Sequence, residues 1–557
     1  MNYKRAIDEF KQQSESMLDD DLRDALLNKN TNNFWKSWRN KFGKRDTNAK
    51  IVEGCSSNED IAQVFKSYFS QTCVPNNPSI HLKHKEVFEK EFEGYSVCEL
   101  ADNTFTVADI ESALRNMKKG KAVGVDKISS EHLIYAHPCL VVSLKVLFNL
   151  ILHYEYVPEG FGKVVLTPLL KDSNSDASLC ENYRGISLSC AISKLFEYAV
   201  LCKYSSLFQT DSLQFGFRSG VGCSDALFTV KSVINYFTTN GCTLTVSALD
   251  ISKAFDRVSF YALFSKLMAR KFPKQIISVL MSWYEKSFTC VRWKDCISDW
   301  FQITAGVRQG GVLSPFLFAL YIEDVLMQLK VRRKGCKIGD VYLGCFLYAD
   351  DILLLSQSVS CMQEMLDICS NVANVLDLRF NGKKSVIMRI GKRCNFSCSN
   401  LLLDGVVLPF VDELKYLGVN IRKGCNFSRS MCSAKIKFYR SFNAIYSKIS
   451  SASEEVLVHL FKSFCLPVIT YACEALFPVS SDLKALDKLV SSAFNKIFHS
   501  FDCDIISSAK ACFDLSSIEV LLCRRHKSFL TRYYSKSFYF SKTIWAINRG
   551  TLYSLVS

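Results

Sequence analysis

The chain has no apolar run long enough to cross a bilayer: its longest candidates, Cys465 to Val479 and Leu317 to Leu329, are broken by Glu474 and by Glu323 and Asp324. No transmembrane helix is expected, and a membrane is not an expected partner. The first ten residues, Met-Asn-Tyr-Lys-Arg-Ala-Ile-Asp-Glu-Phe, are charged and lack the continuous apolar core of a secretory leader. The 24 cysteines, scattered along 557 residues, therefore read as reduced thiols of an intracellular protein rather than as a disulfide framework. Nor do they make a tight zinc knuckle, since Cys503, Cys512, Cys523 and His526 are separated by eight, ten and two residues. No fixed-period repeat is present, which argues against a solenoid.

What the chain does have is core and positive charge. Apolar residues make 48% and charged residues 22%, the profile of a packed globular protein rather than a disordered scaffold. The length allows roughly three or four domains. Lys and Arg total 69 against 54 Asp and Glu, a net charge of +15. Residues 421–557 hold 19 basic and 9 acidic side chains, so this stretch carries +10 of that total. Such asymmetry suits a polyanionic partner, because neutralising phosphates releases counterions.

Residues 1 to about 50 read as a polar helical segment with Phe34, Trp35, Trp38 and Phe42 on one face. Asn58 to Phe69 is a second amphipathic stretch, and the charged run through Pro75, Pro78 and Gly94 reads as a connector. From Thr106 the texture changes. Thr106-Val107-Ala108-Asp109 carries a helix-capping pattern, and Lys118 to Asp126 is a basic, glycine-punctuated loop able to approach phosphates. A further basic stretch runs from Lys163 to Lys171 and on to Asn182-Tyr183-Arg184-Gly185-Ile186-Ser187-Leu188.

The segment most informative about chemistry is Tyr348-Ala349-Asp350-Asp351, framed by Cys345-Phe346-Leu347 and Ile352-Leu353-Leu354-Leu355. Two adjacent carboxylates in an apolar frame repel one another and lose hydration, so they need compensation, most simply by a divalent metal. The pattern predicts a β-hairpin with buried strands and Ala349, Asp350 and Asp351 at its tip. One hundred residues earlier, Leu244 to Leu249 is another apolar strand ending in a carboxylate, Asp250. If Asp250 meets the hairpin on an adjacent strand, three carboxylates converge, the set two Mg²⁺ ions need when phosphates supply the remaining oxygens. Between them, Ala305 to Pro315 is a glycine-rich turn leading into an apolar helix, Phe316 to Leu329.

In this order, these segments resemble the polymerase motifs of reverse transcriptases, those of non-LTR (LINE-type) retrotransposons in particular. Asp250 to Phe255 resembles the first-carboxylate motif, Arg308-Gln309-Gly310 the template-and-nucleotide turn, and Tyr348 to Asp351 the catalytic hairpin. Gln214-Phe215-Gly216-Phe217-Arg218 and Asn182 to Leu188 resemble fingers and early palm segments. Phe380-Asn381-Gly382-Lys383-Lys384-Ser385 resembles the lysine motif, and Leu414 to Val419 the primer grip. The resemblance covers residues 106 to 425.

It implies an α+β right-hand polymerase, with fingers, a palm built on an antiparallel sheet and a helical thumb, extended by helical N- and C-terminal segments. The implied boundaries are 1–105 for a helical extension or linker and 106–422 for fingers and palm, with a core from about 151. The thumb would then run over 423–500 and a basic segment over 501–557. The implied activity is RNA-directed DNA synthesis on an RNA template from a DNA primer, by two-metal nucleotidyl transfer from dNTPs. Asp250, Ile251, Asp350 and Asp351 would hold two Mg²⁺ ions, or Mn²⁺, and Lys384 or Lys383 would protonate the leaving pyrophosphate. Phe255 would reject ribonucleotides, and Arg184, Lys163, Lys171, Arg308, Gln309 and Gly310 would bind substrate. Basic and aromatic residues alternating from Arg422 to Lys448 would track an RNA–DNA hybrid.

The family also implies cytoplasmic synthesis and nuclear action. Elements of this kind often carry an N-terminal endonuclease, and nothing before residue 106 offers its acidic and histidine constellation beyond His81 and His84. The chain is therefore expected to be part of a longer element polyprotein, and the competing reading is a catalytically inert remnant that binds RNA. An RNA-dependent RNA polymerase is disfavoured by Phe255, and a group II intron maturase by the lack of a recognisable maturase or HNH-type tail.

Overall fold

The computed structural model describes residues 49–96, 103–172, 175–449 and 452–556, together with Asp24 and Ser37. The expected aromatic helix face at Phe34, Trp35, Trp38 and Phe42 lies outside the described residues. Residues 50–429 and 533–556 form one compact unit, and residues 430–532 belong to another.

The first unit opens with two helices. Asn58–Thr72 starts at Ser57, whose hydroxyl accepts the Asp60 N–H, and buries Ile61, Phe65 and Phe69 along one face. The expected connector is instead a 16-residue helix, Pro78–Glu93. Pro78 sits in the first turn behind the Asn77 cap, and Gly94 ends the helix. Proline and glycine mark helix ends as readily as they mark loops. Phe88 of this helix is fully buried, 5.6 Å from the Phe264 ring. The Thr106–Asp109 capping box forms as expected, starting helix Val107–Asn116.

Seven strands matter for the site: β1 (Lys163–Leu170), β2 (Tyr183–Leu188), β3 (Leu244–Leu249), β4 (Phe288–Trp293), β5 (Cys345–Tyr348), β6 (Asp351–Ser356) and β7 (Val386–Ile390). β1 pairs antiparallel with β2 and parallel with β4. The second sheet is wholly antiparallel, in the order β7-β3-β6-β5. Its inner strands are nearly continuous apolar runs because helices cover them. Cys223–Thr239 packs on β3 and β5, Ser314–Val331 on β5, and Val359–Val375 on β6. Ile352, Leu353, Leu354 and Leu355 are all buried, each contributing roughly 1.5–3 kcal/mol by leaving water.

The other unit is helical, with its own apolar core that includes Phe438, Phe442, Phe461, Leu486 and Phe494. Phe438 and Phe442, expected to lie along a nucleic-acid track, are turned into this core and stack on each other at 6.2 Å. Amphipathic packing thus accounts for these two rings, while Tyr439 on the same helix, Cys432–Ile449, stays exposed. His526 Nδ1 lies 2.6 Å from the Glu474 carbonyl oxygen. No described helix is long and apolar enough to cross a membrane.

Candidate active site

The hairpin turn between β5 and β6 is Ala349-Asp350. Ala349 has φ +57°, a left-handed backbone that costs a residue with a Cβ roughly 1–2 kcal/mol. Two contacts hold it there. The side-chain oxygen of Gln214, a fully buried residue, accepts the N–H of Ala349 at 3.2 Å and that of Gly216 at 3.0 Å. On either side, Phe215 N–H donates to the Leu347 carbonyl at 2.8 Å and Leu347 N–H to the Leu213 carbonyl at 2.9 Å. Gly216 is required by closeness, since a Cβ there would stand 2.4 Å from the Ala349 nitrogen. Residues 213–216 therefore clamp the tip, a positioning role that their family resemblance alone did not specify.

Register brings the third carboxylate to this tip. β6 runs antiparallel to β3 with Ile352 opposite Leu249, so the next positions along are Asp351 and Asp250. Asp350 follows at the turn. Burial raises the Asp350 carboxyl above the usual range, and Asp250 adds to the rise while Arg184 opposes it. Asp351 keeps solvent access, yet desolvation, then Asp350 and Asp250, push its pKa up to about 6 against the pull of Lys415. The main chain of Asp250 is tied down separately. Its N–H donates to Ser385 Oγ at 3.2 Å, and its carbonyl accepts the Asn381 N–H at 2.8 Å. Ile251 is buried and bridges to Phe380, so the lysine-bearing segment holds the strand end of Asp250.

Among the described residues, no three acidic, histidine or cysteine side chains close into a ready-made metal cage. The carboxylates instead form an open edge of hard oxygen donors whose mutual repulsion a cation would relieve. That suits an ion such as Mg²⁺, which binds through one or two carboxylates plus substrate phosphates and water.

The expected substrate residues separate into three groups. Lys171, Arg184 and Lys384 are electrostatic neighbours: burial, then Lys384 and Arg184, lower the Lys171 pKa. Lys171 Nζ donates to the Glu181 carbonyl at 2.6 Å. Gln309 and Gly310 lie against β2. Gln309 Nε2 donates to Asp256 Oδ1 at 2.7 Å, and its carbonyl accepts the Ser187 N–H at 2.7 Å. Gly310 has φ +112°, and a Cβ there would stand 2.9 Å from the Ser187 carbonyl oxygen. The Phe255 ring stacks on Phe318 at 4.6 Å and meets the edge of Phe217 at 6.2 Å.

The third group, Arg308 and Lys163, is engaged by other parts of the protein. Arg308, expected to bind substrate, is turned inward: its guanidinium donates to the Phe161 carbonyl at 3.1 Å and Ser287 Oγ at 3.0 Å, and lies over the Trp283 ring. Its charge interacts with that of buried Glu197. Lys163 is at the other end of β1, about 26 Å from Lys171 along an extended strand, and pairs with Glu159 at 3.7 Å.

Two buried carboxylates that the sequence reading does not single out brace the glycine-rich turn. Asp256, its pKa raised by burial, lies beside Lys253, Lys171 and Arg257 and orients Gln309. Glu197 accepts the N–H groups of Val312 and Leu313, fixing the turn before helix Ser314–Val331. The available signal for Glu197 was a lone acid inside the apolar helix Ala191–Lys203.

Residues 170–421 match the family model described as reverse transcriptase (RNA-dependent DNA polymerase). The chain is 25% identical over 437 residues to the RNA-directed DNA polymerase from mobile element jockey of Drosophila melanogaster, covering 75% of this chain and 46% of that protein. It is 24% identical over 465 residues to the probable RNA-directed DNA polymerase from transposon X-element of Drosophila melanogaster, covering 80% of this chain and 50% of that protein. The chain thus spans about half the length of these curated relatives. Among solved structures, telomerase from Candida tropicalis with a TWJ fragment of telomeric RNA is 12% identical, covering 74% of this chain and 68% of that one. Its TM-score is 0.36.

Proposed function

We propose, from the match of residues 170–421 to the reverse transcriptase family model and from relatives named as RNA-directed DNA polymerases of mobile elements, that the chain extends a DNA primer on an RNA template. The observation that carries this reading is the register of β3 and β6, which puts Asp250 beside Asp350 and Asp351 on one open sheet edge. Reverse transcriptases as a family use divalent metal ions, and the charge crowding here fits them. Asp250, Asp350, Asp351 and the main chain of Ile251 would hold two Mg²⁺ ions, with Mn²⁺ as substitute. When bound, these ions supply activation of the primer 3′-hydroxyl and charge compensation for the leaving pyrophosphate.

The remaining work belongs to the chain's own side chains. Arg184 and Lys171 bind the dNTP triphosphate, and neighbouring Lys384 donates a proton to the departing pyrophosphate. The Phe255 ring, backed by Phe318, abuts the sugar and rejects a 2′-hydroxyl by clash. Gln309 and Gly310, pinned to β2, present a flat backbone to the nascent base pair. Arg308 acts from behind, as a brace for that turn. The helical residues 430–532 serve as the thumb, tracking an RNA–DNA hybrid through their basic surface. Such an enzyme is made in the cytoplasm and acts in the nucleus, where template RNA and target DNA meet.

The test is primer extension with Mg²⁺, an RNA template and an annealed DNA primer, comparing dNTPs with NTPs. Incorporation of dNTPs that is lost in Asp250→Ala and Asp350→Ala is the expected result. Tight RNA binding without extension would replace this reading with that of an inert remnant, and a preference for NTPs would overturn the role of Phe255.

A further inference from the structure

Well beyond the reverse transcriptase match, which ends at residue 421, the chain returns to the first unit at residue 533. What returns is an aromatic segment that reaches the back of the catalytic hairpin. Phe538 and Phe540 stack on each other at 5.0 Å with 8° between their planes, and bear on Phe215 at 5.8 and 6.0 Å. Phe215 and Phe540 have no exposed surface at all, and Phe538 is 6% exposed.

Polar anchors flank this stack. Lys536 Nζ lies 2.6 Å from the buried carboxylate of Asp225, Tyr539 O–H donates to the Tyr342 carbonyl at 3.0 Å, and Tyr533 and Thr229 share a hydroxyl hydrogen bond of 2.7 Å. A buried ion pair and satisfied hydroxyls specify one seating for the segment rather than generic apolar contact. Phe215, in turn, stands between Gly216 and Gln214, whose side-chain oxygen accepts the N–H groups of Gly216 and Ala349, and approaches Phe346 of β5 at 6.4 Å.

We propose that Phe538 and Phe540 are positioning residues for the hairpin carboxylates, acting through Phe215 and Gln214 on Ala349. Without the two rings, a cavity opens behind Phe215 and segment 213–216 is free to shift. A displacement of about 1 Å in an active site can cost ~10²-fold in rate, because reacting groups leave their productive geometry. This inference rests on the polymerase reading for its catalytic consequence, although its structural half does not.

The experiment uses the full chain with paired substitutions, Phe538→Ala with Phe540→Ala, and Phe538→Leu with Phe540→Leu. Amide hydrogen exchange in residues 345–351 is measured alongside kcat, the KM for dNTP and the Kd for primer–template. The alanine pair is expected to speed exchange at Leu347 and Ala349 about tenfold or more. It is also expected to lower kcat about 10- to 100-fold while KM and Kd stay within about twofold. The leucine pair should restore most of both. A folded alanine pair with wild-type exchange and kcat overturns the proposal. If the alanine pair does not fold, Tyr539→Phe decides: faster exchange in 345–351 with lower kcat supports the proposal, and wild-type values for both overturn it. A wild-type chain that extends no primer defeats the polymerase reading, whereas exchange still decides whether the segment holds the hairpin.

Discussion

Asp250 and the Asp350–Asp351 pair stand on neighbouring strands, yet their backbones are secured in opposite ways. Asp250 ends a regular strand, and its N–H and carbonyl are both satisfied by the segment 381–385. Asp350 and Asp351 follow a left-handed alanine and have carboxyl pKa values raised by burial, with Asp250 adding to both and Asp350 to that of Asp351. One half of the site is relaxed, while the other is held against its own preferences by Gln214 and by whatever supports Gln214. The difference locates where stability and function oppose one another. Neutralising Asp350 relieves the cost of burying its charge as well as its repulsion of Asp351, whereas neutralising Asp250 relieves repulsion of the hairpin pair alone.

The sharpest way to break the comparison is to remove a carboxylate from each half. Asp250→Asn and Asp350→Asn should each reduce primer extension by at least ~10³-fold, since either loss opens the ligand set. In EDTA, thermal unfolding should nonetheless separate them: Asp350→Asn raises the Tm of the metal-free protein, and Asp250→Asn raises it less or not at all. Adding Mg²⁺ should reverse the order by stabilising the wild type above both variants.

The second largest effect belongs to the clamp. Gln214→Ala leaves two N–H groups without their acceptor and should cost about 1–3 kcal/mol in chemical denaturation, with extension down about 10-fold or more. Ser385→Ala, on the relaxed side, removes a single 3.2 Å hydrogen bond and should cost about 1 kcal/mol or less with activity within about threefold. Equal losses in these two variants would erase the distinction between the halves. Smallest of all, Ala349→Gly should stabilise by about 0.5–1 kcal/mol, because glycine adopts φ +57° without a Cβ penalty. A destabilised glycine variant would show that the turn is not under strain.

Much of this site was legible in the residues themselves, for a physical reason. Carboxylates inside apolar strands are rare enough to mark chemistry, so Asp250, Asp350 and Asp351 stood out, and the predicted hairpin formed with its strands buried. The helix after Ser314 and the cap at Thr106 were readable because their signals are local. What could not be read depends on which way a side chain turns. Arg308 and Arg184 look alike as basic residues near glycine, yet one braces Trp283 from inside and the other faces the carboxylates. Phe438 and Phe442 alternate with lysines as a nucleic-acid track would, but a helix of that period also buries one face. The pairing of Phe540 with Phe215 joins residues with no local signal between them.

That last pairing has a temporal side. A chain is made from its N-terminus, and strand β3, the hairpin and the lysine-bearing segment all emerge long before Phe540 does. Until then the ring of Phe215 faces a place its eventual neighbours have not yet filled. A product released early, anywhere within 430–532, contains every residue of the reverse transcriptase match and still lacks the rear wall of its own hairpin. If Phe540 positions the hairpin, the carboxylate edge is finished only after synthesis has passed residue 540.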